Sequence, residues 1–174
     1  MRILINAMLV TAMVLGGGLL PASEAEAGGG RFIRRNEAGG VTGAGARGRV
    51  GQQGAYGRAW GFTTDGQGNV EAGRTRGFRT PNAQASGNRR FSRDADGSLQ
   101  RHSTASGSGT RGSYDTTGTF TRDADGGVSA GRETDITGSE GNRYSGSTTY
   151  SSEDGWSRTA TCYDASGQVV SFPR

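Results

Sequence analysis

A 29-residue echo constrains this chain more than any other feature. Phe62, Phe91 and Phe120 stand 29 residues apart, and Tyr150 follows 30 later. Each precedes an acidic, glycine-bearing turn: Asp65-Gly66-Gln67-Gly68-Asn69, Asp94-Ala95-Asp96-Gly97, Asp123-Ala124-Asp125-Gly126 and Glu153-Asp154-Gly155. A fixed period of this length marks stacked supersecondary units, and Asp-Gly at the turns makes those units β-hairpins. Tyr56, Trp60 and Phe62 share parity, as do Tyr114 and Phe120, and Tyr144 and Tyr150. In a strand, residues of one parity line one face. Return strands begin at Val70, Leu99, Val128 and Trp156, and the opposite turns fall at Thr80-Pro81-Asn82, Gly107 to Gly112 and Gly138 to Gly141. The expected fold is all-β: an antiparallel meander of long β-hairpins from about Gly57 to Phe172, with residues 58–174 as the repeat domain. Phe120, Tyr150 and Trp156 are expected among its most buried side chains.

The chain opens like an exported protein. Arg2 supplies a positive start, Ile3 to Leu20 is largely apolar, Pro21 breaks any helix, and Ala25-Glu26-Ala27 is a small-x-small cleavage site before Gly28. This is the layout of a secretory signal peptide over residues 1–27. The mature chain then has no segment apolar enough to span a bilayer as a helix. Its expected address is the periplasm, the cell surface or the extracellular space.

Composition limits what the mature chain can bury. Leu99 is its only Leu, Ile33 and Ile136 are its only Ile, and Val and Phe supply six each. That is about a tenth of 147 residues, below the ~20% under which disorder becomes an option. Stability must come from long hydrogen-bonded ladders with thin apolar layers, or part of the chain is disordered. Residues 28–57 contain Gly39-Gly40 and Gly43-Ala44-Gly45-Ala46-Arg47-Gly48-Arg49. Such a stretch buries too little to offset chain entropy, so it is expected to be a flexible Gly/Arg/Ala-rich segment.

All 20 basic residues are Arg, against 16 acids. From Gly28 to Arg111 there are 14 Arg and 5 acids; from Gly112 to Arg174 there are 5 Arg and 9 acids. The front half therefore suits an anionic partner, and Arg47, Arg49, Arg58, Arg74, Arg76 and Arg79 are the candidate anion-binding residues. With Tyr56, Trp60 and Phe62 interleaved, such a segment could grip a charged strand by stacking and Coulomb attraction. Export directs this toward extracellular DNA, lipopolysaccharide or an acidic polysaccharide, and away from intracellular nucleic acid. A solvated linker accounts for the same composition.

Other constellations point to structure. Cys162 is the only Cys of the chain, available as a free thiol or for an intermolecular disulfide, or packed as a small hydrophobe. His102, the only His, has no nucleophile motif to serve and reads as a solvated strand residue. Asp94-Ala95-Asp96-Gly97 and Asp123-Ala124-Asp125-Gly126 open like calcium loops, but Ala105 and Thr134 stand where a distal acid is needed. Hairpin tips explain both without an ion. No metal site, cofactor or catalytic residue is expected.

Tyr114-Asp115-Thr116-Thr117-Gly118 and Tyr163-Asp164-Ala165-Ser166-Gly167-Gln168-Val169 resemble the Tyr-Asp-x-x-Gly core of YD repeats in large bacterial surface shells. More broadly, the Asp-x-Asp-Gly turns and the Ser157-Arg158-Thr159-Ala160-Thr161-Cys162 ending resemble small Gly/Ser/Thr-rich exported repeat proteins of Gram-negative bacteria. The resemblance implies export and repeated hairpins and brings no activity. The functional expectation is a non-enzymatic exported β-repeat protein with a structural, surface or matrix role in the cell envelope. The alternative is an Arg-rich binding module for an anionic polymer. Self-association is a further expected partner relation.

Overall fold

A computed structural model describes residues 26–171. The expected signal peptide lies almost wholly outside these residues, as does Phe172. The described chain forms eleven antiparallel strands: β1 (Glu26–Arg35), β2 (Val41–Gly51), β3 (Gly54–Thr64), β4 (Val70–Arg79), β5 (Ala83–Arg93), β6 (Leu99–Gly109), β7 (Gly112–Arg122), β8 (Val128–Gly138), β9 (Arg143–Ser151), β10 (Gly155–Tyr163) and β11 (Val169–Val170). They make one open sheet in strict sequence order. The fold is all-β, a meander of repeated hairpins.

The repeat lives in the turns. In the Asp94–Ser98 turn the Asp94 amide donates to the Ser98 carbonyl at 3.0 Å, and the Gly97 amide donates back to the Asp94 carbonyl at 3.0 Å. Asp123–Gly127 repeats this at 2.9 and 3.0 Å, and Asp164–Gln168 again at 2.9 and 3.0 Å. Such loops need a left-handed residue at the fourth place, which Gly97, Gly126 and Gly167 supply at φ of 90, 96 and 86°. The carboxylates tighten the loops by accepting amide protons. Asp96 Oδ1 accepts from the Ser98 amide at 2.8 Å, and Asp164 Oδ1 from those of Ser166 and Gln168, both at 2.9 Å. Neighbouring tips are tied sideways, the Ala95 amide donating to Asn69 Oδ1 at 2.8 Å.

Two expectations need correction. The Gly/Arg/Ala-rich stretch over 28–57 is not outside the sheet. It forms most of β1, all of β2 and the start of β3, in unbroken register from Glu26↔Val50 to Arg35↔Val41 and from Thr42↔Thr63 to Gly51↔Gly54. Ladder hydrogen bonds come from the backbone and do not require apolar side chains. The glycines also have a non-local use, since the rings of β3 lie on them. A methyl group at Gly45 would stand 2.8 Å from the Trp60 indole, and one at Gly43 would stand 2.6 Å from the Phe62 ring.

Nor is there a closed apolar layer. Among the described residues no hydrophobic side chain is buried. Phe120 and Tyr150 are half-buried, while Trp156 is 74% exposed, the most exposed of the large apolar residues. Trp156 sits on β10 with Tyr150 opposite it on β9, at 4.9 Å between ring centroids. On its other side β11 reaches only Cys162 and Tyr163, so nothing among the described residues flanks the indole there.

Candidate anion-binding face

Because every strand pairs directly with the next, residues opposite one another share a face and line up in rows across the sheet. One row reads Gly43, Phe62, Ala72, Phe91, Arg101, Phe120, Ala130, Tyr150, Trp156 from β2 to β10. The next reads Gly45, Trp60, Arg74, Arg89, Ser103, Gly118, Arg132, Thr148, Arg158. The third reads Arg47, Arg58, Arg76, Gly87, Ala105, Thr116, Thr134, Gly146, Ala160. The fourth reads Arg49, Tyr56, Phe78, Ala85, Gly107, Tyr114, Ile136, Tyr144, Cys162. Two ring-bearing rows thus flank two rows of arginine and small residues. Over β4 to β8 the middle rows hold a shallow trough, lined by Gly87, Ser103, Ala105 and Gly118 together with Arg74, Arg76, Arg89, Arg101, Phe120 and Arg132.

The opposite face is of another kind. It carries Thr42 and Thr63, whose hydroxyls meet at 2.9 Å, Ser86 and Ser106 at 3.3 Å, and Gln84, whose amide donates to Ser108 at 3.3 Å. His102 is exposed there, between Gln100 and Thr104 on β6.

Charge separates the two faces. On β2 to β10 the trough face holds eleven arginines and no carboxylate, since Arg93 and Arg122 lie beside those in the four rows. The hydroxyl face of the same strands holds three arginines, Arg79, Arg90 and Arg143, against Glu71, Asp115, Glu133 and Asp135. The excess of Arg in the front half of the sequence is thus mostly an excess on one face. Arg47, Arg58 and Arg76 face one another on consecutive strands, and Arg74 faces Arg89. Like charges directly opposite destabilise a sheet. The Arg89 guanidinium is held below its usual pKa by the positive field of Arg101, by slight desolvation, and by Arg74 and Arg76.

The structure therefore brings together Arg47, Arg58, Arg74 and Arg76 and places Arg49 one row out, beside Tyr56. Arg79 does not belong: it stands on the hydroxyl face, opposite Ala55 and Gln84. Arg89, Arg101, Arg132 and Arg158 belong and escaped the sequence reading. Counting parity outward from each turn would have found them, because Arg89 shares parity with Phe91, Arg132 with Ala130, and Arg158 with Trp156. Cys162 is free and half-buried on the trough face, opposite Tyr144 and Val170.

The rings lie flat as well as aligned. Trp60 and Phe62 are parallel to within 8°, with centroids 6.1 Å apart, and rest on Gly45 and Gly43. Tyr114 covers Gly107, where a methyl group would meet the ring at 2.5 Å. A ring laid on a glycine turns its π face to solvent.

No protein-family model, curated protein or solved structure matches this chain. Among the described residues there is no group of three or more potential metal ligands, and no helix is long and apolar enough to cross a membrane.

Proposed function

We propose that this chain is a non-enzymatic, exported β-repeat protein of the envelope, cell surface or surrounding matrix, and that its trough face holds an anionic polymer. The observation that carries the reading is that this face holds eleven arginines and no carboxylate on β2 to β10. Solubility alone favours both signs interspersed, and edge protection places charge on edge strands. Here cations of one sign stand opposite one another on central strands, where they cost stability. A polyanion laid along the trough turns that cost into binding energy and releases its own counterions.

Titration of the mature chain against heparin and single-stranded DNA, at low and physiological salt, tests this. Neutralising six phosphates of a single strand gives a log–log salt slope of about −4. Arg76→Ala lowers the slope by somewhat under one unit, and Arg79→Ala, on the other face, leaves it unchanged. Absence of binding at low salt would remove the reading.

One observation favours an added structural role. β11 pairs only Cys162 and Tyr163, so the outer edge of β10 from Gly155 to Thr161 has no neighbour among the described residues. Such an edge templates pairing with another chain. Concentration-dependent assembly that Thr159→Pro abolishes supports that role.

A further inference from the structure

We infer that the polymer is an acidic polysaccharide, specifically an extended 1,4-linked polyuronate lying across the strands in a two-fold ribbon. This rests on the anionic-polymer reading above and names its substrate class.

The first argument is spacing. The row Phe62, Phe91, Phe120, Tyr150 places one ring on every second strand, β3, β5, β7 and β9. This is the 29-residue period seen across the strands: one hairpin, two strand spacings, about 9.6 Å. In a two-fold ribbon of 1,4-diequatorially linked pyranoses, each sugar is flipped relative to the one before. The same sugar face recurs once per disaccharide, and an extended disaccharide is close to two strand spacings long. Every second sugar then meets a ring from β3 to β9.

Geometry and charge agree with this. A pyranose presents axial C–H bonds on its flat face, and these pack on an aromatic π face. Trp60 and Phe62 expose theirs because Gly45 and Gly43 let them lie down. A ribbon of alternating faces also repeats its carboxylates on one side once per disaccharide. In the row beside the rings, Arg74, Arg132 and Arg158 stand on β4, β8 and β10, in step with that repeat, and Arg89 adds a charge on β5. Guanidinium binds carboxylate through two parallel N–H···O bonds. A nucleic acid strand satisfies the charge but not the period, because its phosphates recur once per nucleotide, more closely than two strands.

The test compares polymers of equal charge per residue on the intact mature chain: oligomers of polymannuronate (diequatorial, ribbon-like), oligomers of polygalacturonate (diaxial, shorter repeat), and single-stranded DNA. Polymannuronate should bind about tenfold or more tightly than either competitor at physiological salt, one stacking contact being enough for such a ratio. Its affinity should also fall less steeply with salt, since stacking is not screened. Phe91→Leu and Phe120→Leu keep apolar bulk in the row and remove the flat ring. They should weaken polymannuronate about tenfold each and single-stranded DNA by less, because nucleotides recur out of step with the rings. Equal affinity for the two polyuronates would overturn the inference and leave the anionic-polymer reading intact. So would equal losses for sugar and DNA in the Leu variants. Failure of all three polymers to bind at low salt would overturn both.

Discussion

Replacing Arg58 by Thr should make the protein more stable and a worse binder. Arg58 lies in mid-strand on β3, directly opposite Arg47 on β2 and Arg76 on β4. Each like-charge cross-strand pair costs about 0.2–1 kcal/mol, and two are relieved at once. Arg58 is exposed, so screening places the expected gain near the middle of that range, about 1 kcal/mol at low ionic strength. Thr also suits a pleated surface and, in the same row, already occupies β7 and β8 as Thr116 and Thr134. With a urea m-value of about 2 kcal/mol/M, the unfolding midpoint should rise by about 0.5 M. The charge contribution should shrink as the Debye length falls from about 30 Å at 10 mM salt to about 3 Å at 1 M. Urea titrations of both proteins at these two salts supply the measurement. Arg79→Thr is the control: Ala55 and Gln84 stand opposite it, and no salt-dependent gain is expected. An Arg58→Thr chain less stable at low salt, or an equal gain from Arg79→Thr, would refute the claim that the trough arginines repel one another.

Other consequences can be checked on the same preparation. Gly45→Ala should destabilise by about 1 kcal/mol, because its methyl group forces the Trp60 ring off β2, and should shift Trp60 fluorescence in a Trp156→Phe background. Gly126→Ala, at φ 96°, should cost about 1–2 kcal/mol by denaturant unfolding although nothing crowds the site. Phe120→Ala should cost about 1–2 kcal/mol in the same assay, below the range for closed cores, since its ring packs on one side only. The turn carboxylates set the acid limb. Asp65 is held below the usual 3.8 by the Asn69 side chain and the Gln67 amide, Asp96 by the Ser98 amide, and Asp164 by the Ser166 hydroxyl and the Gln168 amide. Depressed carboxylates add stability that is fully present above their unfolded values and lost as pH falls through the folded ones. A circular-dichroism pH titration should therefore be flat down to about pH 4 and fall below it, with Asp96→Asn removing its share.

Much of this architecture was legible because its signals are local. Gly97 and Gly126 occupy backbone positions that few other residues tolerate, so the hairpin tips were marked, and the parity of Tyr56, Trp60 and Phe62 placed them on one face. The missing parts depend on partners distant in sequence. Gly43 and Gly45 look like linker residues until Phe62 and Trp60 are laid over them, which is why β1 and β2 were missed. The burial expected of Trp156 presumed a second layer, and no composition rule states whether a sheet has one. The separation of charge by face becomes visible only when parity is carried outward from every turn through every strand. Arg79 was grouped with Arg74 and Arg76 by proximity along the chain, yet an odd offset places it on the other side.

A meander in which each strand touches only its sequence neighbours has a length that is free to vary. Duplicating one 29-residue hairpin, for example 91–119, inserts two strands without disturbing any existing pair beyond the new seam. Each duplication would lengthen the row of rings by one ring and the arginine-bearing face by about 9.6 Å. The gene can thus tune reach in whole steps of one period, as a ruler is extended by whole divisions.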